Sequence, residues 1–83
     1  MRIDLYLKKM LIFKKREEAK LMCDKNLVKL NGQYSKPSKA VNIGDIIEIE
    51  TTKGIQKIRI LKLPEGPEGN VRKDETDLYY EEF

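Results

Sequence analysis

The residues of this chain best suited to chemistry are cations. Lys14, Lys15 and Arg16 stand consecutively where a helix is expected to begin, and Arg2, Lys8, Lys9 and Lys20 lie close by in sequence. A helix N-terminus presents unpaired backbone N–H groups and the positive end of the helix dipole, so cations added there make a phosphate-binding site. A merely solvated helix end accounts poorly for such a run, because helix starts favour acids that offset the dipole. Further on, Lys29, Asn31, Lys36, Ser38 and Lys39 bracket a turn. If that turn packs beside the helices, these groups extend the same basic surface and add hydrogen-bonding side chains. Asn31 also has a plain explanation, since Asn-Gly is first of all a tight turn.

Catalytic groups are scarce. The chain has no histidine, the commonest acid/base near neutral pH. Its single cysteine, Cys23, excludes an internal disulfide and fits a reducing compartment. Cys23 is expected on an inward helix face, as a small core residue and not a nucleophile. Two carboxylates are tempting. Asp4 sits in a first helical turn, where an acid offsets the dipole, and Asp45 sits in a Gly44-Asp45 turn; both are expected to be structural. No nucleophile–base pair and no thiolate–imidazole metal cluster emerges, so neither enzyme, cofactor nor metal is expected.

Charge is unevenly distributed. Residues 1–40 hold 11 Lys/Arg against 4 Asp/Glu, residues 41–63 hold 4 against 3, and residues 64–83 hold 2 against 7. A basic body with an acidic tail points to a polyanionic partner for the body. No apolar run approaches the ~20 residues that cross a bilayer, and no secretory signal is expected before the first helix. A cytoplasmic protein with no membrane partner is expected.

The elements that must position these cations follow from periodicity. Ile3, Tyr6, Leu7, Met10 and Leu11 recur at three- and four-residue spacing, predicting a helix over 2–11 with Lys8 and Lys9 off its apolar face. A second helix is expected over about 15–25, with Ala19, Met22 and Cys23 inward, Arg16 and Lys20 neighbours on the other side, and Asn26 ending it. From Val28 the period becomes two. Val28 and Leu30 alternate with Lys29 before Asn31-Gly32, the strongest short hairpin signal. Strands are expected over 45–50 and 55–63, joined at Thr52-Lys53-Gly54. The result is an α+β domain, two N-terminal helices packed on a small antiparallel sheet ending near Leu63. Residues 1–63 form this domain, and 64–83 read as a Gly/Pro linker and an acidic tail, either a short helix or unstructured.

The order and gaps of these features resemble the S4-type RNA-binding domain. The matching residues are Met1-Arg2-Ile3-Asp4 with Leu7, Lys15-Arg16 with Ala19, then Val28, Leu30, Asn31-Gly32, Lys36-Pro37-Ser38, Val41 and Gly44-Asp45. They cover about residues 1–50. Within that family the chain is most similar to the stand-alone bacterial members of ribosome-associated quality control and of the heat-shock response, and Tyr79-Tyr80-Glu81-Glu82 echoes the ending of the heat-shock type. The resemblance implies binding to a large ribosomal subunit still carrying a peptidyl-tRNA, with Arg2, Lys15, Arg16, Lys20 and Lys36 facing ribosomal RNA or tRNA. A monomer is expected. An alternative of another class is a protein-interaction adapter that docks through the acidic Tyr/Phe tail.

Overall fold

In a computed structural model, which describes residues 1–64 and 71–83, two helices lie over one face of a five-stranded antiparallel sheet. The helices are α1 (Ile3–Lys9) and α2 (Arg16–Asp24). The strands are β1 (Val28–Leu30), β2 (Gln33–Tyr34), β3 (Ile46–Thr51), β4 (Gly54–Ile60) and β5 (Tyr80–Glu82), in the order β2-β1-β3-β4-β5. A 3₁₀ helix over Lys73–Leu78 precedes β5. The core joins Ile3, Tyr6, Leu7 and Met10 of the first helix and its end, Ala19 and Cys23 of α2, and Val28, Leu30, Ile47, Ile49, Ile58 and Ile60 of the sheet.

Both helices end in the same way, and the second end was legible. Asn26 has φ 59°, its N–H donates to Cys23 O, and Leu27 N–H donates to Met22 O. This is the Schellman arrangement, in which a left-handed residue lets two late carbonyls find donors. Leu11 repeats it after α1, with φ 64°, Leu11 N–H on Lys8 O and Ile12 N–H on Leu7 O. Leu11 is therefore turned out of the helical stripe and is 38% exposed, against the expectation that it belongs to the apolar face. Lys9 departs in the opposite sense. It is buried at 4% exposure, since α1 is covered on more sides than an amphipathic surface helix would be.

The Asn31-Gly32 hairpin forms as expected, with Leu30 facing Gln33 and both turn residues at positive φ (52° and 86°), the signature of a type I′ turn. The sheet does not stop at Leu63. Tyr80–Glu82 pair with β4 in the register Ile58–Glu82, Arg59–Glu81 and Ile60–Tyr80. The tail thus supplies an edge strand, held also by Tyr79 O accepting from Leu61 N–H at 2.7 Å and from the Tyr6 hydroxyl at 3.1 Å. Of the linker expected after Leu63, positions 65–69 lie outside the described residues.

Candidate nucleic-acid interface

The basic site is organised by a buried acid. Asp4 is fully buried in α1, and its carboxylate accepts from Arg2 Nε (3.2 Å), Arg2 Nη2 (3.1 Å) and Leu5 N–H (2.8 Å). Arg16 Nε approaches the same carboxylate at 3.4 Å. Burying a carboxylate without partners would cost several kcal/mol, so the two guanidiniums account for its presence in the core layer. One anion against two cations leaves a local excess of positive charge. The arginine side chains remain 43% and 44% exposed, so they face outward while their stems are fixed. A guanidinium carries five N–H donors in a planar fork, more than Asp4 uses, and the remainder suit a phosphate.

Backbone geometry brings a third segment to this point. Ile3 N–H donates to Lys39 O at 2.7 Å and Asp4 N–H to Pro37 O at 3.3 Å, while Arg2 bridges to Ala40. The loop after β2 therefore caps α1 through the carbonyls of Pro37 and Lys39, and Lys36, Ser38 and Lys39 line one groove along that loop. The start of α2 is different. Lys15 is its N-cap, no side chain caps it, and Lys14, Lys15 and Arg16 are all exposed there. Glu17 and Glu18 follow in the first turn, where acids offset the dipole. Lys20 is exposed one turn beyond Arg16, and Lys8 is half-buried one turn beyond Asp4.

Two of the expected site residues belong to the hairpin, and one of them, Asn31, lines a groove together with Lys36, Ser38 and Lys39. Lys29 occupies the outer face of the sheet, opposite Glu48 and with its ammonium 5.0 Å from the Tyr34 ring centroid. Asn31 holds the turn to β3, donating to Asp45 Oδ1 at 3.2 Å and accepting from Ile46 N–H at 2.9 Å. Asp45 also accepts from Asn42 N–H at 2.8 Å, which gives this carboxylate a turn-stabilising role. The structural part of Arg16 is not visible in its local sequence, and Asp4 does more than offset the helix dipole. An acid flanked by an apolar stripe and by Arg2 was the available signal.

Other groups are quiet. Burial, with the nearby charges of Asp4 and Asp24, pushes the Cys23 thiol up to about 11, which keeps it protonated and unreactive. Burial also raises the Tyr6 hydroxyl well above its ordinary value. Among the described residues no group of His, Cys, Asp and Glu is placed to hold a metal ion, and no helix is long and apolar enough to cross a membrane.

The S4 domain signature matches residues 1–47, the stretch that contains α1, α2, the hairpin and the capping loop. Over 79 residues, 95% of this chain, the sequence is 42% identical to the RQC P-site tRNA stabilizing factor of Helicobacter pylori strain J99, covering 92% of that protein. The corresponding factor of Streptococcus pneumoniae strain R6 is 33% identical over 95% of this chain and 86% of its own length. Among solved structures, a trimeric Heat Shock Protein 15 of Vibrio cholerae superposes with a TM-score of 0.88 at 30% identity, covering 100% of this chain and 81% of that one. The solution structure of a hypothetical protein, HP1423, gives 0.83 at 38% identity, covering 100% and 96%. The chain belongs to the S4 domain family, in the group of small proteins that includes the RQC P-site tRNA stabilizing factors.

Proposed function

We propose that this protein binds ribosomal RNA of the large subunit together with the peptidyl-tRNA that the subunit carries, and acts in quality control of stalled translation. The observation that carries this reading is the pair of half-exposed guanidiniums, Arg2 and Arg16, anchored on one buried carboxylate, with Lys14 and Lys15 preceding Arg16 and the backbone of Lys39 capping α1 next to Arg2. Fixed forks flanked by flexible ammonium groups suit the phosphates of a folded RNA, recognised by shape and backbone more than by base sequence. The names of the relatives, which specify a P-site tRNA, support the same partner. Every residue in this proposal lies within 1–63, which we take as the RNA-binding unit. Binding is the whole of the activity: no reaction or cofactor is assigned, and the protein works in the cytoplasm as a monomer.

Sedimentation tests the proposal. Purified protein should travel with large subunits and be enriched on those bearing an obstructed peptidyl-tRNA. Recovery at the top of the gradient irrespective of stalled complexes would overturn it. Equilibrium ultracentrifugation of the free protein tests the monomer.

A further inference from the structure

Tyr34 is unexplained by the fold. It stands on β2, the short strand at one edge of the sheet, and is 62% exposed, contributing little to the core. Its ring is nevertheless held in place, paired across the strand with Lys29, whose ammonium lies 5.0 Å from the ring centroid. It borders an open groove of about 740 Å³ whose other walls include Asn31, Gln33, Lys36, Ser38 and Lys39. The loop forming that wall is ordered: Ser35 N–H donates to Val28 O, the Ser35 hydroxyl donates to Lys36 O, and Lys39 N–H donates to Lys36 O. Its carbonyls at Pro37 and Lys39 cap α1 next to Arg2 and Asp4, so the groove adjoins the phosphate-binding cluster.

We infer that this groove holds one unpaired nucleotide of the bound RNA, with the base stacked on Tyr34 and its phosphate on Lys36 and Lys39. The inference rests on the proposed RNA binding and names the element of RNA that the site takes. Each wall suits one part of a nucleotide. An exposed aromatic ring accepts the face of any base, two ammonium groups accept a phosphate, and Gln33 and Ser38 offer donors and acceptors to base edges or the ribose. A paired helix keeps its bases stacked on one another and cannot offer a face to Tyr34. A flipped or bulged nucleotide can.

The test uses the full chain and two RNA hairpins, one fully paired and one carrying a single bulged nucleotide in the same stem. The wild-type protein should prefer the bulged hairpin. Tyr34→Ala should weaken binding to it by about 5- to 150-fold, the range for loss of one base–aromatic stack, with little change on the paired hairpin. Tyr34→Phe should behave like the wild type, because the ring and not the hydroxyl does the stacking. The salt dependence should be the same for wild type and Tyr34→Ala, since no charge is removed, whereas Lys36→Ala should flatten it on the bulged hairpin. If the wild type binds both hairpins equally, or Tyr34→Ala loses both equally, the nucleotide site is refuted while RNA binding stands. If the wild type binds neither hairpin nor ribosomal subunits, both readings fall together.

Discussion

Replacing Arg16 with alanine separates the structural and the binding roles of one side chain. In the fold, Arg16 gives Asp4 a single contact at 3.4 Å, and the carboxylate retains Arg2 on two nitrogens and the Leu5 amide. Loss of one partner from a fully buried ion pair costs about 3–5 kcal/mol, but this guanidinium is 44% exposed and solvent screens it. The expected loss of stability is therefore about 1 kcal/mol, measurable as a lower urea midpoint with unchanged slope. In the complex, the same substitution leaves one phosphate without its charge-assisted hydrogen bonds. Affinity should fall by about 1–3 kcal/mol, and the slope of log affinity against log salt should lose about one unit. Fluorescence anisotropy with a labelled ribosomal RNA fragment at several salt concentrations reads both. Arg16→Lys should keep the slope yet bind more weakly, because the ammonium lacks the fork that spans Asp4 and a phosphate. Arg72→Ala is the control: its side chain is 74% exposed and, among the described residues, pairs with Asp74 and Glu75 in the tail. Wild-type affinity of Arg16→Ala at low and at high salt would refute the basic surface assigned here.

Other outcomes follow from the same geometry. Asp4→Asn should be more disruptive than Arg16→Ala, because it buries an amide against two guanidiniums and frees both; a loss of about 2–4 kcal/mol in urea unfolding is expected, and a smaller loss would show that the carboxylate is dispensable. Tyr6→Phe should cost about 1 kcal/mol by removing the hydrogen bond to Tyr79 O, and should speed amide exchange at Leu61, which shares that carbonyl. Cys23 should resist alkylation at pH 8 in the native protein and react readily in urea. Because its thiol titrates higher in the folded chain than in the unfolded one, its contribution to stability is complete below about pH 9 and is lost as pH rises toward 11, which alkaline denaturation would register.

Much of this protein was legible before its structure. The change of period at Val28 separates helices from strands, because side-chain repeats of 3.6 and 2 cannot both bury one face. Asn31-Gly32 and Asn26 specify their own backbone, since few residue types accept positive φ, and both turned out as expected. Clustering of cations before residue 40 likewise needed no coordinates to suggest a polyanion. Leu11 shows the limit of periodicity: it fits the stripe, but the termination of α1 required a left-handed residue at that place.

What the linear chain left open is contact between distant residues. Nothing local says that Arg16 reaches Asp4, twelve positions earlier, or that residues 37–41 return to cap α1. Those contacts depend on how the helices pack, and they convert scattered charges into a site. The tail is a similar case. Tyr80–Glu82 are acidic and short, with little strand propensity of their own, yet they become a strand because β4 offers an unpaired edge and Tyr79 closes over Tyr6. Local sequence decided the turns, the helix ends and the sign of the surface. Packing alone decided which charges face one another, because a buried carboxylate must find its cations wherever the fold brings them within reach.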